Sequence, residues 1–219
     1  MIPTVDYIRI LPEVVLTIFG ILVMLVDPVI PTQDSKKPLG VIALIGVLAG
    51  LAATLYQSRF YGDAFYHMVR VDAFSIFFHL VILLIALVVI LSSYDYLEVQ
   101  QIKAGEYYGL VLFATVGMML MSSAIELVLI FIALEISSIS TYILAGFRRR
   151  AAESAEASLK YFLLGSFATA FFLFGVSLVF GATGTTNMSE ITERLPMTPT
   201  PAFAVIALAM MLIGIGFKV

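Results

Sequence analysis

The sequence predicts an all-α protein, a polytopic bundle of membrane-spanning helices, and three observations support this fold class. Apolar residues make up 61% of the 219 positions, and charged residues only 12%. The mean hydropathy is +1.07. The apolar residues are gathered in separate runs, most of them long enough to cross a hydrocarbon core of about 30 Å. A soluble globular domain carries about twice this charged fraction, so that class of protein is excluded.

Each apolar run is bounded by proline, glycine or charged residues, which mark helix ends. The first run is entered through Pro12 and Glu13 and ends at Asp27 and Pro28. Proline and an acid are both tolerated in a first helical turn, where N–H groups lack partners and the helix dipole is positive. We predict about six complete spans, at residues 11–26, 39–56, 72–91, 108–121, 126–147 and 157–180, and the first part of a seventh from residue 202.

Three features between the spans have sequence signatures. Asp72 stands at the start of the third run and is predicted to be its N-cap. Residues 92–107 carry several charges and are expected to form a loop. Ser123 and Glu126 are three positions apart, the spacing of a capping box, which predicts a helix-end role for Glu126.

The fifth span contains a carboxylate, Glu135. At about 1.5 Å per residue it lies about 15 Å into the run, near the midplane of a bilayer. An acid at that depth costs on the order of 2.5–3.5 kcal/mol and normally faces a bundle interior or a water-filled path. Ser138 and Tyr142 share its helix face. We therefore predict a functional glutamate on a polar stripe; a protonated, hydrogen-bonded structural glutamate is the alternative.

Two further titratable groups lie in the third and sixth spans. His79 could carry a proton because imidazole titrates near neutral pH. Since no second titratable group is near it in sequence, a neutral histidine hydrogen-bonded to a neighbouring helix is the favoured interpretation. Lys160 stands just inside the sixth span. A pair with Glu156, four residues earlier, and a stem that reaches water would explain it equally well.

The seventh run contains a lysine, Lys218, about 24 Å along the helix. Gly214 and Gly216 precede it, and this indicates a buried amine beside a weakened helix. Snorkelling at a chain end is the alternative. Because the last backbone carbonyls of a membrane helix need partners, we expect a complete span to continue beyond Val219.

The basic residues of the loops predict the orientation through the positive-inside rule. Alternate loops carry six lysines or arginines on one side and four on the other. This bias predicts an N-terminus outside the membrane and an arginine cluster at residues 148–150 inside. The six are Lys36, Lys37, Lys103, Arg148, Arg149 and Arg150, and the four are Arg9, Arg59, Arg70 and Arg194. The start of the chain lacks the features of a cleavable signal, so we expect the first span to be retained.

Several kinds of chemistry have no signature in this sequence. There is no cysteine, which excludes disulfides, thiolate-bound zinc and iron–sulfur clusters within these residues. Phosphate-binding loops, dinucleotide fingerprints, His-pair metal motifs and a Ser–His–Asp set are also missing. No basic patch suggests nucleic acid. We therefore expect no cofactor, no redox centre and no nucleic-acid partner in this chain.

Two stretches carry a resemblance to a known family. They are residues 131–144, FIALEISSISTYIL, and residues 157–166, ASLKYFLLGS, on either side of the arginine cluster. The DAFS sequence at 72–75 and GIGFK at 214–218 extend it over essentially the whole chain. Together they resemble subunit N of bacterial NADH-quinone oxidoreductase, respiratory complex I. DAFS is shared with subunits L and M and the Mrp sodium/proton antiporters, whereas LKYF favours subunit N.

The resemblance implies a role for the three buried or half-buried charges. Glu135, Lys160 and Lys218 would belong to a proton path in a translocase subunit. The implied partners are other antiporter-like and small membrane subunits, together with membrane lipid. NAD, FMN, iron–sulfur clusters and quinone would be bound in partner subunits. The implied location is the bacterial inner (plasma) membrane.

The chain departs from this family in length. Family members have roughly fourteen spans, built around two inverted five-helix repeats. This chain would comprise an N-terminal three-helix segment, residues 1–107, and an incomplete first repeat of helices four to seven, residues 108–219. We therefore expect a fragment, or one piece of a split subunit, that does not pump alone.

A buried acid beside a buried amine provides a physical mechanism. With the lysine close, the glutamate stays ionised, and when the lysine moves away the glutamate takes up a proton. Two alternatives remain open. A Mrp-type sodium/proton antiporter subunit would show sodium-dependent transport. A non-conducting structural spacer would tolerate Glu135→Gln at no cost to pumping per electron.

Overall fold

The computed structural model describes residues 3–31, 36–99, 105–148, 151–198 and 201–218, and most of them are helical. The all-α prediction is confirmed. Short 3-10 turns follow the second and eighth helices. In chain order the elements are α1 (Thr4–Arg9), α2 (Leu11–Val26), α3 (Lys37–Gln57), β1 (Gly62–Ala64), β2 (Val69–Val71), α4 (Ala73–Val99), α5 (Glu106–Ser123), α6 (Leu127–Ala145), α7 (Ala152–Thr183), α8 (Met188–Arg194) and α9 (Pro201–Gly216).

The seven predicted runs correspond to α2, α3, α4, α5, α6, α7 and α9. Within the described ranges, five helices are long and apolar enough to cross a membrane: α2, α3, α4, α6 and α7. The fourth run forms α5, which begins with a glutamate and two tyrosines and is therefore less apolar. Buried side chains occur all around α5, because other helices surround it. The seventh run, α9, is a shorter apolar helix.

The main core forms where α2, α3, α4 and α5 meet. Leucine, isoleucine, valine and methionine side chains fill it, because the helices pack with their apolar faces together. A smaller cluster joins α6, α7 and α9. The main core includes Leu16, Leu39, Leu83, Ile90, Leu112 and Met119, and the smaller cluster includes Leu127, Phe172 and Val176, with Met211 against it. Packing thus groups α5 with the first three long helices, while the domain division at residue 107 stays a prediction.

The two clusters are joined by the contact between α5 and α6. Gly117 of α5 makes this contact close. A Cβ at this position would lie 2.5 Å from the backbone nitrogen of Ser137 and 2.6 Å from the carbonyl oxygen of Ala133. Small residues let helix backbones approach in this way in membrane proteins. Gly117 therefore sets the spacing between the N-terminal helices and the site on α6.

One end of the bundle, which we call the hairpin end, carries α1, the β1–β2 hairpin, the α5–α6 junction and the α7–α8 junction. Backbone bridges join Val69 to Ala124 and Glu126 to Asn187. The Asn187 amide also donates to the His67 carbonyl oxygen at 2.7 Å. These contacts bring the loops after α3, α5 and α7 together, which the alternating topology requires.

The opposite end holds the junctions α2–α3 and α4–α5. Lys36 and Asp27 form an ion pair at 3.0 Å, and the Gly105 N–H donates to the same Asp27 carboxylate at 3.1 Å. Lys37 pairs with Glu98 at 2.9 Å. Of the other basic residues predicted at this end, Lys103, Arg149 and Arg150 lie outside the described residues.

Several predicted helix boundaries differ from the structure; α7, for instance, begins at Ala152 and not at residue 157. The loop expected at residues 92–107 begins later, because α4 continues to Val99 and places Glu98 where it pairs with Lys37. The predicted capping box is also wrong. Ser123 belongs to α5 and bonds back to its own helix, whereas Glu126 is itself the N-cap of α6 and accepts from the Leu129 N–H at 2.8 Å. Glu126 thus has the predicted helix-end role, and Asp72 caps α4 through the Ser75 N–H.

Candidate functional site: a glutamate–lysine pair inside the bundle

Glu135 lies eight residues into α6, about 12 Å from the hairpin end. Its carboxylate faces the neighbouring helices. The Thr169 hydroxyl of α7 donates to one oxygen at 2.8 Å, and Lys218 Nζ lies 3.2 Å from the same oxygen. The Glu135 side chain is 27% exposed. Glu135 therefore stands at the boundary of three elements, α6, α7 and the turn after α9.

Lys218 lies in a turn that follows α9, where its N–H donates to the Ile215 carbonyl at 2.8 Å. Its ammonium group reaches α6. Nζ donates to Ser138 Oγ at 2.8 Å as well as to Glu135, and it lies 6.0 Å from the centre of the Tyr142 ring. The side chain is 14% exposed. The two opposite charges therefore compensate each other in a largely dehydrated place.

Gly214, one of the two glycines predicted to weaken the seventh helix, continues α9, which is helical to Gly216. A Cβ on Gly214 would lie 2.7 Å from the carbonyl oxygen of Ala168 and 2.7 Å from Phe172 Cβ. Gly214 thus serves the close packing of α9 on α7, and this contact brings Lys218 towards Glu135.

Tyr142 continues the polar stripe of α6 and is buried together with Ser138. Its ring meets Tyr161 edge-on, with centroids 4.7 Å apart. Gly165 makes room for the hydroxyl, because a Cβ there would lie 1.9 Å from that oxygen. The hydroxyl has no hydrogen-bond partner among the described residues. The predicted stripe of Glu135, Ser138 and Tyr142 is therefore one face of α6 packed against α7 and the end of α9.

The fold does not bring Lys160 into contact with the Glu135–Lys218 pair. Its side chain is 69% exposed and its Nζ lies 2.5 Å from Glu156 Oε1. Thr169, which touches Glu135, is nine residues further along α7, and at about 100° per residue it lies on the opposite face of the helix. The alternative considered from the sequence, an i,i+4 pair with Glu156, is the arrangement observed.

His79 is completely buried and bonded to a neighbouring helix. Its Nε2 lies 3.1 Å from the Met119 carbonyl oxygen of α5. No second titratable group lies near His79 in sequence, but the fold brings one to it from another helix. Glu13 Oε1 of α2 lies 3.4 Å from the same nitrogen, and the Glu13 side chain is only 4% exposed. Helix packing brings together two residues that are far apart in sequence.

Two polar residues near these groups were not predicted. Thr169 is one of several hydroxyl residues in a long apolar run, and nothing in the sequence distinguishes it from the others. Glu13 was interpreted as a first-turn acid facing the helix dipole, and this interpretation did not anticipate its burial. An acid directly beside the apolar start of a membrane helix is the signal that could have identified it.

Comparisons with known proteins agree on the family. A protein-family model described as "NADH:quinone oxidoreductase/Mrp antiporter, TM" matches residues 124–219, which include Glu135, Lys160 and Lys218. NADH-quinone oxidoreductase subunit N 2 of Koribacter versatilis is 59% identical over the whole of this chain. The resemblance to subunit N is thereby confirmed. Another relative, F(420)H(2) dehydrogenase subunit N of Methanosarcina mazei, is 38% identical over 94% of this chain.

The chain spans about half the length of the subunit N relatives that it matches, 46% in the Koribacter versatilis protein. Solved structures give the same picture. A chain of respiratory complex I from Thermus thermophilus with bound aureothin matches with a TM-score of 0.73 and 33% identity, over 94% of this chain and 43% of that one. A chain of the archaeal membrane-bound sulfane sulfur reductase matches with a TM-score of 0.79 and 25% identity, over 95% of this chain and 44% of that one. The chain therefore has the multi-pass fold of antiporter-like membrane subunits.

Proposed function

We propose that this chain is part of a proton-translocating membrane subunit of a NADH-quinone oxidoreductase, and that Glu135 and Lys218 form its coupled pair. The observation that carries the proposal is the 3.2 Å contact between Lys218 Nζ and Glu135 Oε1 inside the bundle. The two groups come from positions 83 residues apart, so the contact is a product of the fold. The similarity to subunit N gives this pair its setting in an oxidoreductase.

The pair moves a proton when its separation changes. While Lys218 stays against Glu135, the ammonium compensates the carboxylate, which remains ionised. When Lys218 turns away, the Thr169 hydroxyl is the one donor that the described residues still offer to the carboxylate. The protonated carboxyl then has a lower free energy than the ionised form. The return of Lys218 expels that proton. Rotation about the bonds of the flexible four-carbon lysine stem can make this movement.

Lys160 is proposed as the group that exchanges protons with the pair from the opposite end of the bundle. It lies about 13 Å from Thr169 along α7, towards that end. Its exposed side chain requires a neighbour from the remainder of the subunit or from another subunit to become part of an enclosed path. Ser138 and Tyr142 would hold the ammonium between its two positions.

The proposed partner subunits and location follow from the names of the relatives. NAD, FMN, iron–sulfur clusters and quinone would be bound by partner subunits, and this chain would contact other antiporter-like and small membrane subunits and lipid. The location would be a bacterial inner membrane, with the N-terminus outside. The driving force would come from quinone reduction in the partner subunits.

The test uses Lys218→Met in the full-length subunit within its assembled complex. This variant should assemble and transfer electrons to artificial acceptors, but it should pump fewer protons per electron than the wild type. Glu135→Gln should show the same separation of electron transfer from pumping. Ser177→Ala is the matched control, because that exposed hydroxyl on α7 bonds only to its own helix, at the Phe174 carbonyl.

Wild-type pumping stoichiometry and rate in Lys218→Met would show that the lysine is structural and would overturn the assignment. Unchanged pumping in Glu135→Gln would instead favour the structural spacer. Both outcomes are readable because electron transfer is measured separately from proton release.

A sodium/proton antiporter subunit of the Mrp type is the second candidate. The description of the matching family model names both groups of proteins. Transport that depends on sodium, in a complex purified without flavin or iron–sulfur subunits, would favour this candidate. Purification with such subunits and sodium-independent pumping would favour the oxidoreductase.

A further inference from the structure

A second pair of titratable side chains lies in the N-terminal helices, outside the residues that match the family model. Glu13 of α2 and His79 of α4 face each other with Oε1 and Nε2 3.4 Å apart, and their side chains are 4% and 0% exposed. Neither Glu13 oxygen has a hydrogen-bond partner in the part of the chain that the structure describes, and the same holds for His79 Nδ1. Three polar atoms are therefore buried together without donors or acceptors.

The elements around this pair do not supply a compensating charge. Arg9, one turn before Glu13, is turned away: its guanidinium donates to the carbonyls of Phe60, Tyr61 and Asp63. It also lies 3.5 Å from Asp6. Asp72, at the start of α4, caps its own helix through Ser75.

The other two neighbouring helices present uncharged groups. From α3, the Gln57 amide donates to the Arg9 carbonyl, which lies one turn before Glu13. From α5, the Met119 carbonyl oxygen accepts from His79, while the hydroxyls of Ser122 and Ser123 bond back to α5. The surroundings thus offer no donor that would satisfy an ionised carboxylate.

The hydrogen-bond pattern fixes the number of protons on the pair. A carbonyl oxygen only accepts, so His79 Nε2 must carry the hydrogen that points to Met119. Nδ1 is then a bare acceptor in the neutral ring. An ionised Glu13 beside a neutral His79 would leave a buried, uncompensated anion, which is a strongly unfavourable state. One additional proton removes that cost, either on the Glu13 carboxyl or on Nδ1, where it makes an ion pair.

We propose that Glu13 and His79 form a second protonatable site, which holds one exchangeable proton and trades it with water at the hairpin end. Glu13 is the third residue of α2 and His79 the seventh of α4, so they lie about 3 Å and 9 Å along their helices from that end. Arg9, one turn before Glu13, is held at that end by its bonds to the loop and hairpin carbonyls. The proton that leaves Glu13 or Nδ1 goes to a water molecule, and the reverse step restores it.

This site is independent of Glu135 and Lys218. It lies on the other side of α5, whose Met119 carbonyl faces His79 while Gly117, two residues earlier, packs against α6. The site would therefore persist in a protein whose Glu135 has been replaced. The two proposals can fail separately.

Infrared difference spectroscopy on the full-length protein in its complex tests the site. The C=O stretching band of a protonated carboxyl is separate from the bands of a carboxylate and shifts in D2O. We expect the wild type to show such a band at neutral pH, to shift it after transfer to D2O, and to lose it at alkaline pH. Glu13→Gln should lose the band, and Glu135→Gln should keep it. His79→Gln should change the pH at which the band disappears.

Thr115→Val is the matched control, because this buried hydroxyl of α5 bonds only to its own helix, at the Val111 carbonyl. It should leave the band unchanged. A Glu13 band that neither shifts in D2O nor responds to pH would show a permanently protonated structural group and would overturn the proposal. So would the absence, in the wild type, of both this band and a pH-dependent imidazolium band that His79→Gln removes, or the loss of the carboxyl band in Thr115→Val. If Glu13→Gln fails to assemble, the wild-type exchange and the His79→Gln shift still decide the question.

Discussion

Charged side chains in this protein are held in two physically different ways. Glu135 and Lys218 compensate each other where little water remains, and removing one partner of such a pair typically costs 3–5 kcal/mol. Lys160 and Glu156 form an exposed pair, whose contribution is about 0–1 kcal/mol. The loss of stability caused by substituting a lysine in this chain therefore depends on the surroundings of that lysine more than on its position in the sequence.

A partly buried carboxylate at the hairpin end, Asp63, provides a test of residue-scale electrostatics. Hydrogen bonds from the Arg70 guanidinium lower the pKa of Asp63 to about 2, with a smaller contribution from His67. A lowered pKa stabilises the folded state above the unfolded value of 3.8, and this stabilisation is lost as the pH falls towards about 2. Asp63→Asn should therefore destabilise the hairpin by about 1 kcal/mol at neutral pH, after solvent screening is taken into account.

Hydrogen exchange of the β2 amides measures this change. The wild type should be better protected than Asp63→Asn at neutral pH, and the two should converge as the pH is lowered through the interval from 3.8 to about 2. Glu190→Gln is the control, since Glu190 and Arg194 form another exposed pair at the same end, 2.8 Å apart. A difference between wild type and Asp63→Asn that stays constant down to the lowest pH would contradict the assigned cause.

Sequence patterns predicted some site residues and could not predict others. The face of Glu135, Ser138 and Tyr142 follows from helical spacing alone. Neither the contact of Lys218 with Glu135 nor the contact of Glu13 with His79 has a local signature, because both are made by helices that are distant in the chain. Thr169 joined the site only because α7 packs against α6 at that turn.

At the scale of elements, long apolar runs were predicted well because hydrophobicity and length determine a membrane helix. Short elements were missed. β1 and β2 have three residues each, too few to show a period-2 pattern, and the turn between them carries three consecutive non-glycine residues with positive φ, Phe65, Tyr66 and His67. Such backbone conformations depend on tertiary contacts, here including the bond from the Phe65 N–H to Asp6 at 3.0 Å.

The close contact between α5 and α6 depends on the absence of a side chain at Gly117. Gly117→Ala would place a Cβ against backbone atoms of Ser137 and Ala133, at 2.5 Å and 2.6 Å, and backbone cannot turn aside as a flexible side chain can. We expect a loss of about 1–3 kcal/mol in stability. Thermal unfolding of the purified full-length complex measures this loss.

Gly181→Ala is the control for that substitution. Gly181 lies in α7, and a Cβ there meets nothing within 4 Å. Since alanine favours a helix over glycine by about 0.5–1 kcal/mol, the control should be neutral or slightly stabilising. Equal destabilisation by the two variants would indicate a general intolerance of alanine and not a close helix contact at Gly117.

At the scale of the whole molecule, each end of the bundle is tied by its own contacts. The hairpin end joins α1, the hairpin and the junctions before α6 and α8, whereas Asp27, Lys36 and Gly105 join the loops of the opposite end. The Glu13–His79 pair lies near the hairpin end, whereas Glu135 stands at the middle of α6, which runs from Leu127 to Ala145. Protons that the Glu13–His79 pair exchanges with the nearest water would therefore appear on the side that the hairpin end faces.

The orientation of the two ends is the last prediction. The basic residues favour the opposite end as the cytoplasmic one, with the N-terminus and the hairpin outside. Because the sequence contains no cysteine, a single introduced cysteine reports its own side of the membrane. Cysteine in place of His67, whose side chain is 74% exposed, should react with a membrane-impermeant maleimide added to intact cells. Cysteine in place of Arg148 or Arg150 should react only after the membrane is opened. The reverse pattern would invert the topology, and it would place the water that exchanges protons with the Glu13–His79 site on the cytoplasmic side.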